Sequence, residues 1–193
     1  MAATPIVQHC YRETVERFGE PDVVITFDDP PPPSDSWPQR IDVLIWKDDR
    51  EIDITTFATV GMCDRPMSNA DHRGEIHFSI RRSAETMDLN SVAHFCANIA
   101  VYPFARDTFF EWAQVVVNPG VIPYFPNCSA LLFYPSFVEE GWDAFTFNDT
   151  RVHILNAVPV AQAELDYRNT NGPFSIFDYL DEHQIDIFTD RMP

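Results

Sequence analysis

The chain has 193 residues, enough for one domain with a sizeable core, and its apolar and charged fractions of 45% and 22% are those of an ordinary globular protein. A formal net charge of −17, with Lys47 as the sole lysine, argues against nucleic acid and anionic membrane surfaces, which such a chain repels. The same charge favours a basic partner reached by electrostatic steering. Sixteen phenylalanines supply core volume to short elements, while sixteen prolines against six glycines confine much of the chain to fixed loops. Cys10, Cys63, Cys96 and Cys128 are too scattered for a disulfide framework or a CxxC metal site. With no signal peptide and no apolar run of membrane-spanning length, the expectation is a reduced, cytoplasmic protein.

In chain order, Val7, Tyr11, Val15 and Phe18 recur at helical spacing, and Gly19 with Pro21 supplies a stop. Val23 to Phe27 is a short strand. The segment from Asp28 to Arg40 carries four consecutive prolines and can only be an extended loop, with Trp37 either folded back or held out for a partner. Ile41 to Trp46 and Ile52 to Thr59 flank an acidic tip and predict a hairpin. Glu75 to Arg81 alternates, with Ile76, Phe78 and Ile80 on one face and His77 and Ser79 on the outward one. After Asp88, the positions Leu89, Val92, Phe95, Cys96 and Ile99 mark a helix that Pro103 should stop. Val115 to Val117, Leu131 to Tyr134 and Val152 to Val158 are further strands. A helical turn over Ala161 to Tyr167 breaks at Asn171-Gly172-Pro173, and Ser175 with Asp178 forms a capping pair for a last helix. The predicted class is α+β, a mixed, mainly antiparallel sheet flanked by helices, in a single domain over residues 1–193.

Catalytic motifs are missing from the sequence. There is no GxSxG elbow, no GxxxxGK[ST] loop and no HExxH pair, and six glycines leave no room for a glycine-rich phosphate cradle. Asp71, His72, Glu75 and His77 are the nearest approach to a metal cluster, although a polar loop leading into a half-exposed strand accounts for them more simply. Asp48, Asp49, Glu51 and Asp53 lack the spacing of a calcium loop. Cys63 beside Asp64 and Arg65 has a cation that would favour the thiolate, but no histidine placed to work with it.

Several blocks together resemble the suppressor-of-fused family. These are TTFATVGMCDRPM (55–67), GEIHFSIRR (74–82), SVAHFCANIAVYPF (91–104), the apolar stretch through Leu131 to Pro135, and ILNAVPVAQAELDYRNTNG (154–172). Their order and spacing carry the likeness, which runs over roughly residues 40 to 191. The resemblance implies an α+β domain that is not an enzyme and needs no cofactor. In the family's animal member such a domain, joined to a second, holds a transcription factor by adding a peptide strand between the two. This chain has no length for the second domain, and the tyrosine that contacts that peptide has no counterpart in it. Free-standing bacterial relatives are inferred to be immunity proteins that neutralise toxins, so the resemblance implies a protein partner, with charge pointing to a basic domain such as a nuclease.

Residue by residue, the resemblance places the turn Gly61-Met62-Cys63-Asp64 on the family's corresponding turn. It nominates Asp64, Arg65, Met67, Asp71 and Arg73 as the contact surface; steric cover of a basic partner by an acidic face would add aromatic anchors such as Trp37 or Trp142. Glu164 matches the signature acid, which either caps and pairs within the fold or touches a partner. Two alternatives stand beside this expectation: a metal-dependent hydrolase at the His72/His77 region, and a regulatory scaffold unrelated to toxins.

Overall fold

The structure is a computed structural model that describes residues 3–28, 34–47, 53–136 and 141–191. Helix α1 (Pro5–Phe18) begins on a proline, whose missing N–H lies among the unbonded donors of a first turn. Its buried face is Ile6, Cys10 and Thr14, while Tyr11 and Phe18 are 37% and 43% exposed. The expected face is therefore turned aside. Thr14 can be buried because its hydroxyl donates to the Cys10 carbonyl at 2.8 Å, which hides it from a count of apolar spacing.

Strands β1 (Val23–Phe27), β2 (Ile41–Trp46), β3 (Ile54–Val60) and β4 (Arg73–Arg81) form an antiparallel meander. Helix α2 (Leu89–Ala105) follows, then β5 (Val115–Val117), β6 (Ala130–Tyr134), β7 (Ala144–Phe147) and β8 (Thr150–Val160). Two helices, α3 (Gln162–Asn171) and α4 (Ser175–Glu182), close the chain. The sheet order is β1-β2-β3-β4-β8-β6-β5. Strand β8 lies parallel to β4, with Arg73 opposite Val152 and Gly74 opposite His153. Its other edge carries β7 at the N-terminal half and β6 at the C-terminal half, both antiparallel.

Helices cover both faces of this sheet. Against α2 lie Val43, Ile45, Phe57, Ile76, Phe78, Ile80, Leu131, Phe133 and Leu155, with Val92, Phe95, Cys96 and Ile99 facing them. On the opposite face α1 packs over Leu44, Val60, Phe145, Val152 and Ile154. Further along that face, α3 and α4 set Leu165, Ile176 and Leu180 against Ala130, Leu132, Val158 and Val160. The result is an α+β architecture with a mixed, mostly antiparallel sheet between helical layers, as the sequence predicts.

Three local expectations are corrected. Double coverage leaves β4 no outward face: His77 is only 5% exposed, lying under Phe18 and Trp142 at 5.5 and 5.6 Å between ring centres. Pro103 does not stop α2, which runs on to Ala105, because a proline this close to the C-terminus forfeits one backbone bond while the ring itself is buried. Ser175 is the first residue of α4 rather than its cap, and its hydroxyl donates to the Gly172 carbonyl at 2.7 Å. Strand β7 escapes sequence reading, four residues being too few to show a period. Asp48, Asp49 and Glu51 of the hairpin tip, like the prolines at 30–33, lie outside the described residues.

Glu164 works inside the fold. Its Oε2 accepts from the Ala161 N–H at 2.8 Å at the start of α3, and its Oε1 pairs with Arg191 Nε at 2.6 Å. Arg191 also donates to the carbonyls of Pro159 and Thr189 at 2.9 and 2.7 Å, tying the C-terminal segment to the end of β8. Removing the guanidinium strands a carboxylate that is 3% exposed. Arg191→Ala is expected to cost about 3 kcal/mol in urea unfolding, whereas a double change of Glu164 and Arg191 to apolar residues recovers much of that loss.

Candidate partner-binding site

The turn nominated by sequence is organised by one carboxylate. Glu75, on β4, is fully buried, and its Oε1 accepts from the backbone N–H groups of Gly61 and Cys63 at 2.8 and 3.0 Å. Its Oε2 accepts from the Thr59 hydroxyl at 2.7 Å and the Met62 N–H at 3.3 Å. Thr59 in turn accepts from the Ile76 N–H at 2.8 Å, so the β3–β4 crossing and the 3₁₀ turn Met62–Asp64 are bonded through one side chain. Burial raises the Glu75 pKa, and the Cys63 and Gly61 N–H groups pull against it without prevailing. Gly61 has a φ of 129°, and a Cβ there would run into the Arg40 carbonyl oxygen. Cys63 faces Cys10 inside the core, and its thiol is pushed well above the ordinary value by that hydrogen bond, by burial and by the nearby Glu75. It is a core thiol rather than a nucleophile.

The loop held by this turn places the five nominated residues at different depths. Asp64 is half-buried, accepting from the Thr4 hydroxyl at 2.6 Å and lying 3.4 Å from the Arg65 guanidinium. Arg73 folds inward and donates to the carbonyls of Cys63 and Asp64 at 2.7 and 2.9 Å. Met67 is 3% exposed, part of the α2-side core, and its sulfur accepts from the Phe110 N–H. Asp71 alone among the five has a fully exposed side chain. Both nominated tryptophans are half-buried; Trp142 lies beside Phe18, His77 and the Arg17 guanidinium.

The metal cluster suggested by adjacency in sequence does not assemble. Glu75 points to the turn and His77 into the α1 layer, away from His72. Instead His72 stacks on His153 of β8 at 4.1 Å and 16°, and His153 stacks on Trp112 at 4.1 Å and 12°. Glu111 reaches both imidazoles, with Oε1 at 3.2 Å from His153 Nδ1 and Oε2 at 3.8 Å from His72 Nδ1. Asp71 Oδ1 lies 3.2 Å from the same His72 nitrogen, and that contact lowers the Asp71 pKa. The His153 pKa is lowered, by burial first and then by His72. No spacing rule could have found Glu111 and His153: they meet His72 only through the β4–β8 register and the loop before β5.

Two outcomes follow from the buried groups. Glu75→Ala leaves three backbone donors and a hydroxyl without their acceptor in the core, so urea unfolding should show a loss of about 3 kcal/mol or more. Burial lowers the His77 pKa from 6.5 to about 4, so the unfolded chain takes up that proton first as pH falls. Its contribution is whole above pH 6.5 and is lost as pH drops through 4, a change of about 3 kcal/mol. His77→Phe should flatten the stability–pH curve across that window, as measured by denaturant titration at stepped pH.

Comparison with known proteins agrees with this architecture. Residues 38–191 match the family model described as suppressor of fused protein (SUFU). A curated relative, immunity protein YqcF of Bacillus subtilis (strain 168), is 26% identical over 155 residues, covering 77% of this chain and 78% of its own. A solved suppressor-of-fused homolog from Neisseria gonorrhoeae FA 1090 superposes with a TM-score of 0.69 at 14% identity, over 95% of this chain and 92% of that one. A chain of the Sufu–Fu complex gives 0.63 at 11%, over 97% and 89%. Drosophila Suppressor of Fused gives the same score and identity over 97% of this chain but 49% of its own length. With the family model spanning most of its length, this chain belongs to the suppressor-of-fused family.

Proposed function

We propose that the chain is a non-catalytic protein-binding module that acts in the cytoplasm as an immunity protein, neutralising a basic toxin domain by covering its working surface. The observation that carries this reading is the similarity over three quarters of the chain to a protein named as an immunity protein. The family match and the net charge of −17 support it: the first supplies a fold associated with protein partners, and the second supplies attraction to a cationic surface. The proposed contact surface is the 64–73 loop. Asp64, Arg65, Asp71 and Arg73 form its polar rim, and Met67 beneath them is the apolar support that fixes its shape.

The pinned turn suits such a role. A loop that leaves a turn bonded to Glu75, and whose Arg73 is tied back to the Cys63 and Asp64 carbonyls, loses less freedom on binding, so more of the contact energy appears as affinity. Charge contributes approach rate and salt dependence, and the shape of the loop contributes specificity.

Affinity capture of the tagged chain from its own lysate, washed at low salt, should isolate one basic protein domain whose toxic activity the chain suppresses at equimolar ratio. Asp71→Arg, on a fully exposed side chain whose contact is with the His72 imidazole, is expected to weaken binding about tenfold or more in calorimetry. Glu182→Arg, at the far end of the molecule on α4, should leave affinity near the wild-type value. A captured domain whose activity persists in excess chain would overturn the immunity reading.

A further inference from the structure

The His72, His153 and Glu111 side chains present one ligand atom each, all within 4.8 Å of one another. The protonation pattern of His72 is set by its surroundings. Its Nε2 lies 2.8 Å from the Phe110 carbonyl, which can only accept, so Nε2 carries the hydrogen and the neutral ring keeps its lone pair on Nδ1. That lone pair faces two carboxylates, Asp71 at 3.2 Å and Glu111 at 3.8 Å. His153 Nδ1 is more than nine-tenths buried, and its polar neighbour is Glu111 Oε1 at 3.2 Å, with no hydrogen bond of good geometry between them. The His72 Nδ1 lone pair and the unbonded His153 Nδ1 thus lie beside the same carboxylate, whose Oε1 also accepts from the Trp112 backbone N–H at 2.8 Å.

We propose that His72 Nδ1, His153 Nδ1 and the Glu111 carboxylate form a binding site for a divalent transition metal of the zinc class, with Asp71, outside that close group but 3.2 Å from His72 Nδ1, turning in as the fourth ligand. Two imidazoles and two carboxylates are a donor set that such ions take, at bond lengths near 2.0–2.2 Å. The Phe110 carbonyl holding the far nitrogen of His72 is the outer-shell partner usual for a ligating histidine. Trp112, stacked on His153 and donating its Nε1–H to the Ile154 carbonyl at 3.2 Å, fixes the second ring. A lone pair lies in the plane of its ring, so seating the ion tilts His72 out of the parallel stack, pivoting on its bond to Phe110. The ion would also tie Asp71, at the tip of the 65–73 loop, to β8 and to the segment before β5. The proposal does not depend on the immunity reading.

The test uses the tag-free full chain, stripped with chelator and titrated with Co²⁺ by visible absorption and with Zn²⁺ by calorimetry. One ion per chain is expected, with the intense d–d absorption of four-coordinate cobalt and no thiolate charge-transfer band. Glu111→Gln and His72→Gln should each weaken binding about tenfold or more, and Asp71→Asn several-fold, with circular dichroism unchanged. Should His72→Gln fail to fold, Glu111→Gln and Asp71→Asn decide the matter, since both residues reach solvent. Three results would overturn the site: no saturable binding at one ion per chain, affinity indifferent to Glu111→Gln and Asp71→Asn, or a thiolate band. The last would assign the ion to Cys10, Cys63 and Glu75, the other close group of ligand atoms among the described residues.

Discussion

A single fully buried carboxylate holds the shape of the turn from which the candidate contact loop departs. Glu75 takes three backbone hydrogens and a hydroxyl from the chain between Thr59 and Cys63, where β3 hands over to the loop before β4. A charge in the core is costly unless its lone pairs are used, and here each oxygen has two donors. The cost is offset by what the bonds prevent: without an acceptor, those N–H groups would have to find water and the turn would open. Gly61 completes the device, since only a residue without Cβ can hold that φ against the Arg40 carbonyl. The Cys63 and Asp64 carbonyls are then taken by Arg73, so both ends of the loop are fixed by side chains from the start of one strand.

Much of this fold can be read in the sequence, for reasons that differ between elements. Strands β1 and β2 match their predicted bounds because their branched and aromatic runs end at turn residues. Helix α2 declares itself through its apolar spacing after Asp88, whose side chain accepts from the Ser91 N–H as the helix cap. Burial of the second sheet face is what the sequence conceals. His77 and Glu75 look solvent-facing because polar residues on alternate positions usually are, and only the packing of α1 over them reverses that. Glu164 shows its capping role by position, three residues into a helix, yet its pairing with Arg191 depends on a segment 27 residues away.

The candidate site divides in the same way. The turn from Gly61 to Asp64 is legible as a motif, whereas the depth of Met67 and the inward fold of Arg73 are set by tertiary contacts. The histidines show how adjacency misleads. His72 belongs with Asp71, its neighbour in sequence, but its other companions come from β8 and from the segment before β5. Stacked rings at 4.1 Å bring Trp112 and His153 into the same small volume as the exposed loop tip. The candidate contact loop and the aromatic stack thus share one end of the sheet.

The β4–β8 pairing also bears on how the chain reaches its native state. Arg73 meets Val152 across the parallel register, and β8 is the strand to which β4, β6 and β7 all bond. The meander of β1 to β4 can form early, since each of its turns is local, but its inner edge stays open until β8 arrives. Closing a loop of that length carries its entropic cost before any contact rewards it, so the β4–β8 pairing is the step expected to form late. On the ribosome, the nascent meander must wait with an unpaired strand edge while the rest of the sheet is synthesised. The strand that completes the sheet is the last one made.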